Sequence, residues 1–250
     1  MSQSYIKTWL KKTQPPGVPS NITVLNEQAG KRALVLDAVK KSLLDHLIGL
    51  EIIKEMGGFA KAASVIQNTL PQNKKTRSGD FGEILATEYM EQVLEYTVPI
   101  RKLRYKDDRE MSMRGDDTIG FRFQKKPPSI LKTEAKSRIS LSRSVVTEAA
   151  DGLKRHNGRP NPSTLSFISR RLREQGKDDL ASILEQVQER DIPLSTISHL
   201  IFTVSGNDPK EYLKVEAASC YPEVQRFLAG CVIPDHAEFI ASIYDGPINQ

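Results

Sequence analysis

Cysteine is scarce. The 250-residue chain has only Cys220 and Cys231, too few for a disulfide framework. Neither has a second cysteine or a histidine at zinc-ligand spacing, so both are expected to be core thiols. Long apolar runs are missing too. At 38% hydrophobic residues nothing reaches the length of a membrane-spanning helix. The opening Met1-Ser2-Gln3-Ser4-Tyr5-Ile6-Lys7-Thr8-Trp9-Leu10 has no apolar core of the signal-peptide kind, and the expected location is the cytoplasm. His46, His156, His199 and His236 are scattered and suggest no shared role. Internal repeats, low-complexity segments, zinc modules and recognition helices are absent from the pattern. Any nucleic-acid binding is therefore expected to be nearly blind to sequence.

Charge is plentiful. The net charge of +5 and pI near 9.1 suit a polyanionic partner. The basic residues are clustered: Arg101 to Lys106, Arg122 to Lys126, Lys132 to Arg143, Lys154-Arg155-His156 and Arg170 to Arg173. Within these, Arg122, Lys132, Arg138, Arg143, Lys154 and Arg155 are the candidate phosphate contacts, with double-stranded DNA as the expected partner. Any one cluster taken alone is equally an ordinary solvated surface.

The most informative residues lie between those clusters. Asp117-Thr118-Ile119-Gly120-Phe121-Arg122-Phe123 alternates β-branched and aromatic residues as a strand does. Lys125-Lys126-Pro127-Pro128-Ser129 is a turn signal, and Ile130 to Lys136 is a second strand. Side chains two apart on a strand share a face. Glu134 and Lys136 therefore emerge together, while Leu131, Thr133 and Ala135 face the other way. An acidic residue opening one strand and Glu-x-Lys in the next suit Mg²⁺ or Mn²⁺, which take one or two carboxylates and keep several waters. Asp117 and Glu134 are the carboxylates, the Ala135 carbonyl is a third oxygen, and Lys136 orients water or neutralises charge. Asp116 is an alternative to Asp117.

Upstream, Ser78 to Leu94 has a helical apolar stripe, with Ser78 or Asp80 as its cap. Glu83, expected near the positive end of the helix dipole, is a further catalytic and metal candidate, with Glu88 as its rival. The order helix with Gly82-Glu83, strand, strand opening at Gly115-Asp116-Asp117, strand with Glu134-Ala135-Lys136, then helix resembles the core of the PD-(D/E)xK nucleases. It looks most like HamA, the family of nuclease subunits in Hachiman-type anti-phage defence. The resemblance covers roughly residues 75 to 205. It implies a Mg²⁺-dependent deoxyribonuclease and an ATP-dependent helicase partner, with metal and catalytic roles on Glu83, Asp117, Glu134 and Lys136. The chain departs from the superfamily motif in having no proline before the Asp. Two other readings stay open: a stand-alone restriction or repair nuclease, and a non-catalytic DNA-binding or assembly module.

The expected fold is α/β, with a small mixed sheet carrying the site and helices on both faces. Residues 1–75 form an N-terminal arm and helical region. Residues 76–250 form the core, with a helical insertion at about 157–192. Within this plan residues 1–20 are an extended arm, residues 32–56 one helix, and residues 59–70 another. Pro71 to Thr76 is a linker, Ser142 to His156 a helix, and residues 163–175 and 178–190 two amphipathic helices. Ile197 to Val204 is an interior strand and Pro234 to Tyr244 a last helix.

Overall fold

The computed structural model describes residues 4–13, 17–189, 192–218 and 224–245. Its elements in chain order are α1 (Tyr5–Trp9), β1 (Leu10–Thr13), β2 (Ile22–Glu27), α2 (Arg32–Leu47), α3 (Leu50–Glu55), α4 (Phe59–Thr69) and α5 (Lys74–Gln92). There follow β3 (Thr118–Arg122), β4 (Ser129–Arg138), α6 (Arg143–Lys154), α7 (Pro162–Glu174) and α8 (Asp178–Glu189). The last elements are β5 (Ile197–Ser205), α9 (Lys210–Ala218), β6 (Gln225–Val232) and α10 (His236–Asp245).

The six strands form one mixed sheet in the order β1-β2-β6-β5-β4-β3. Strands β2, β6, β5 and β4 run parallel, and β1 and β3 close the two edges antiparallel. The α/β expectation holds. Strand β5 is buried along almost its whole length because both faces are covered, which is why its sequence is nearly continuously apolar. On one face α5 packs with α2 and α10 around Phe81, Phe202 and Phe239. On the other, α6 and α9 enclose Val146, Leu153, Ile201 and Leu213. Helices α7 and α8 pair over Ile119, Phe121 and Ile197. No helix among the described residues is long and apolar enough to cross a membrane.

Several element readings are corrected. Part of the expected arm is ordered structure. Trp9 is fully buried and stacks on Phe239 at 5.2 Å, and β1 and β2 join the sheet through β6. The single helix read over residues 32–56 is two, broken where Gly49 takes φ +106°, a conformation that suits glycine. Helix α5 starts at Lys74 inside the expected linker. Asn73 caps it by accepting the Lys75 N–H at 2.8 Å, so neither Ser78 nor Asp80 is the cap. Ser78 instead meets Ser137 (3.0 Å), and Asp80 pairs with Lys106 (2.7 Å). Strand β6 and helix α9 lie where no element was expected, while the strand expected between α5 and β3 is reduced to a single bridge of Thr97 to Phe121 and a 3-10 turn over Lys102–Tyr105. Cys231 is fully buried, and that burial pushes its thiol pKa up, as a core thiol requires; Cys220 falls outside the described residues.

Candidate functional site

Strand β4 organises the site through its alternation. Its odd residues meet α5: Thr133 Oγ1 donates to Met90 Sδ (3.2 Å), and Ser137 lies under Gly82. A Cβ on Gly82 would stand 3.0 Å from that of Ser137, so glycine permits the close approach of helix to strand. Its even residues meet α6. Lys132 reaches the Leu153 carbonyl, Glu134 packs on Gly152, and Lys136 pairs with Glu148 at 3.1 Å. Glu134 and Lys136 thus share a face as expected, with 3.8 Å between Oε2 and Nζ. A Cβ on Gly152 would fall 2.7 Å from Glu134 Cδ and under 3 Å from both its oxygens. Any larger residue there would displace the carboxylate.

Asp117 lies just ahead of β3, where the register sets Thr118 opposite Thr133. Its Oδ2 accepts the Ala135 N–H at 2.9 Å, placing the carboxylate between the ends of β3 and β4. The Ala135 carbonyl leaves β4 on the same edge as that N–H. Glu83 projects from α5 into a cleft also lined by Thr87, Lys102, Asp116, Asp117 and Thr164. It sits more than two turns inside the helix, because α5 begins at Lys74, so the helix dipole has little hold on it.

Electrostatics tie the three acids together. Burial, then the charge of Asp117, pushes Glu134 up to about 8. Burial and the same Asp117 charge push Glu83 well above the carboxylate range, opposed by Lys102 and Lys106. Asp117 is therefore the middle of a chain of acids, with Glu83 on one side and Glu134 on the other. Among the described residues no group of three or more His, Cys, Asp or Glu side chains is placed to hold a metal ion. This donor set fits a hard cation that uses one or two carboxylates and keeps its own waters, and does not fit a closed zinc centre.

The rival residues are separated by their partners. Glu88 accepts a hydrogen bond from His46 Nε2 at 2.9 Å and another from Gln92, and lies 3.9 Å from Arg101. Burial alone would raise it, but the His46 hydrogen bond and the charges around it hold it below the usual carboxylate value. Asp116 is buried, and its Oδ2 accepts the Asn161 N–H at 2.6 Å. Its own N–H donates to Thr164 Oγ1, and its carbonyl accepts from Lys102 Nζ at 2.7 Å. Of the two neighbouring aspartates, only Asp117 is turned to Ala135 and charge-coupled to both glutamates.

The basic clusters divide. Lys132 is no surface contact: it is fully buried, and its Nζ donates to the carbonyls of Leu153, Arg155 and Arg159. A phosphate cannot reach it, so its nucleic-acid assignment is withdrawn. The 101–106 run is engaged internally as well. Arg101 pairs with Glu91 (2.6 Å), Arg104 with Asp45 (2.9 Å) and Lys106 with Asp80. Arg122 donates to the Leu94 carbonyl and lies over the Tyr96 ring, and Arg138 donates to the Ser137 carbonyl. Arg143, Lys154 and Arg155, at the two ends of α6, are exposed, with Lys154 paired to Asp151. Sequence reasoning missed Gly152, Glu148 and Lys102. Only the tertiary placement of α6 and of the 102–116 loop brings them to the acids, and no local spacing announces it.

A protein-family model described as HamA matches residues 4–246. A protein of Bacillus cereus named Hachiman protein HamA is 29% identical over 194 residues, which is 77% of this chain and 68% of that protein.

Proposed function

The chain belongs to the HamA family, and on that premise we propose that it is the nuclease of a Hachiman anti-phage defence system, a PD-(D/E)xK-type enzyme that hydrolyses DNA phosphodiester bonds with little sequence preference. The observation that carries the reading is that burial and then the charge of Asp117 push both Glu83 and Glu134 up, with Lys136 beside Glu134. Like charges kept this close are costly unless a cation is meant to join them.

In this reading Asp117, Glu134 and the Ala135 carbonyl would hold Mg²⁺ or Mn²⁺, with Glu83 a further acid lining the same cleft from α5. The bound ion would neutralise the scissile phosphate and acidify a nearby water. Glu134 packs against Gly152, whose missing Cβ leaves the carboxylate room. Asp117 is aimed by the Ala135 N–H. Lys136 lies between Glu134 and Glu148 and can swing its ammonium onto a phosphate oxygen or the attacking water. Arg143, Lys154 and Arg155 supply sequence-blind phosphate contacts along α6. Because such contacts carry no sequence information, the enzyme needs an external gate. We assign that role to an ATP-dependent helicase partner in the cytoplasm, covering the nuclease core of residues 76–250 until foreign or damaged DNA is engaged.

Purified protein incubated with supercoiled plasmid should nick or cut it when Mg²⁺ or Mn²⁺ is present and leave it intact in EDTA. Adding the co-purified partner should suppress that basal cutting. Metal-independent or absent cutting by the free protein would contradict the nuclease assignment, and a partner without effect would contradict the gate.

A further inference from the structure

Lys132 is the one lysine of β4 with no route to water, and everything it touches lies around the proposed site without belonging to it. An ammonium has three protons, and here three carbonyls take them: Leu153 at 3.2 Å, Arg155 at 3.1 Å and Arg159 at 3.0 Å. The compensating charge is Asp116, with Oδ1 3.5 Å away and its other oxygen taken by the Asn161 N–H. One buried cation therefore joins the last turn of α6, the turn after it, the start of α7 and the residue next to Asp117.

That turn has one hydrogen bond of its own, from the Arg159 N–H to the His156 carbonyl at 3.0 Å. His156 and Asn157 have φ of +56° and +55°, and Gly158 follows at +76°, three successive residues in the left-handed region. This region is uncommon for residues that carry a Cβ, less so for Asn157 than for others, and the surrounding contacts help to hold it. Those contacts are Lys132 on either side of the turn and His199 Nε2, which donates to the Gly158 carbonyl at 2.8 Å. On the other flank Gly115 (φ +99°) brings the backbone so near Thr164 that a Cβ would sit 2.3 Å from its Oγ1. Thr164 Oγ1 in turn accepts the Asp116 N–H. The position of Asp117 and the position of Gly152, the floor beneath Glu134, thus depend on the same buried ion pair.

We propose that Lys132 and Asp116 are a buried positioning pair that holds Asp117 and the Gly152 end of α6 in register, so that Asp117 and Glu134 can share one cation. This rests on the nuclease reading for its consequence, and on the contacts themselves for its geometry. Neither residue touches substrate.

The test compares Lys132→Met, Asp116→Asn and the double variant with the wild-type chain. Mn²⁺ binding is titrated by its electron paramagnetic resonance signal, and the Mn²⁺ concentration giving half-maximal plasmid cleavage is measured alongside. Each single variant should weaken Mn²⁺ binding and raise the half-maximal concentration by roughly 10- to 100-fold. Duplex affinity in EDTA should stay unchanged, because no phosphate contact is lost. The double variant should be no worse than the poorer single one, since the pair acts as a unit. A purely structural role would instead lower the melting temperature and leave the Mn²⁺ dependence of the folded protein where it was, which overturns the inference. Reduced duplex affinity with unmoved Mn²⁺ binding would also overturn it and return Lys132 to the DNA surface. If Lys132→Met does not fold, Asp116→Asn decides alone, because its amide oxygen can still accept the Asn161 N–H. Should the wild type bind Mn²⁺ without cutting any plasmid, the nuclease reading fails while the shift in Mn²⁺ binding still scores the pair. Should it bind no Mn²⁺, both fall.

Discussion

Glu83 and Glu88 leave the same helix little more than a turn apart, yet their carboxyls titrate in opposite directions. Glu88 has a hydrogen-bonding histidine, a glutamine and a nearby guanidinium around it, and is held below the ordinary carboxylate value. Glu83 has Asp117 as its strongest charged neighbour and is pushed far above it. A related contrast of partners divides Asp116, whose carboxylate accepts the Asn161 N–H and lies 3.5 Å from Lys132, from Glu134, which burial and the charge of Asp117 push up. A carboxylate that serves the fold arrives with its partners already in the chain. One that serves an exogenous cation stays unbalanced until the cation comes. Burial of a carboxyl therefore says little by itself, and so does the sign of its shift alone, since burial raises Asp80 to about 6 although Lys106 pairs with it. The partners in the chain tell the two kinds apart.

The hardest way to break this comparison is to remove acids of each kind and compare cleavage. Glu134→Ala and Lys136→Ala should each reduce Mg²⁺-dependent plasmid cutting by on the order of 10³-fold, the scale of losing electrostatic or proton-transfer help at the reacting centre. Their melting temperatures should be unchanged or slightly raised. Asp117→Ala should lose more activity than Asp116→Ala. Near-normal cutting by either the Glu134 or the Lys136 variant would remove them from the site.

Stability against pH offers a second contrast. With Glu134 at about 8 against an ordinary 4.5, the native protein still holds a proton there that the unfolded chain has already lost. Unfolding then releases a proton, so this group makes stability fall as pH rises from about 4.5 through about 8, and it adds no further change above that. The slope should approach about 1.4 kcal/mol per pH unit within that window. Denaturant melts of Glu134→Gln should show a shallower slope, because Glu83 still contributes in the same sense, and millimolar Mg²⁺ should flatten it in the wild type. An identical slope in both proteins would assign the imbalance to another group.

Glu88 should behave in the reverse sense. Glu88→Ala leaves His46 and Gln92 facing a gap inside the α2–α5 interface, and since burial lowers the His46 pKa the loss is of hydrogen bonds to a carboxylate, about 2 kcal/mol. Chemical denaturation should show that loss, while Glu83→Gln is neutral or stabilising. If Glu83→Gln destabilises as much as Glu88→Ala, the two carboxyls are not of different kinds.

Much of this was legible in the chain, and where legibility stopped is instructive. The alternation of β4 and the turn at Lys125 to Ser129 are local properties, so the shared face of Glu134 and Lys136 could be read directly. Strand β6 could not, because its run Phe227 to Val232 becomes a strand by lying between β2 and β5, which are distant in sequence. The same limit explains Lys132. On its strand it alternates like an exposed residue, and only the return of the chain through Leu153 to Arg159 supplies the carbonyls that bury it. Asp117 could be favoured from the chain but Asp116 not set aside, for the same reason, since the contacts of Asn161 and Ala135 with the two come from elsewhere in the chain.

The smallest effects belong to the surface, where the comparison is between Lys132 and its basic neighbours. Arg143, Lys154 and Arg155 flank α6 and remain exposed, so each can neutralise a phosphate at little desolvation cost. Single changes of these three to alanine should weaken duplex binding only a few-fold, equally for unrelated sequences. Each should also reduce the slope of log affinity against log salt by about 1. Lys154 should contribute least, because Asp151 already holds its ammonium at 2.9 Å. Lys132→Met should leave both affinity and slope untouched. Fluorescence anisotropy with two unrelated duplexes over a range of salt concentrations measures all four variants at once. A salt slope unmoved by the Arg143 and Arg155 variants would place the DNA path off α6. A loss confined to one duplex would contradict phosphate-only contact.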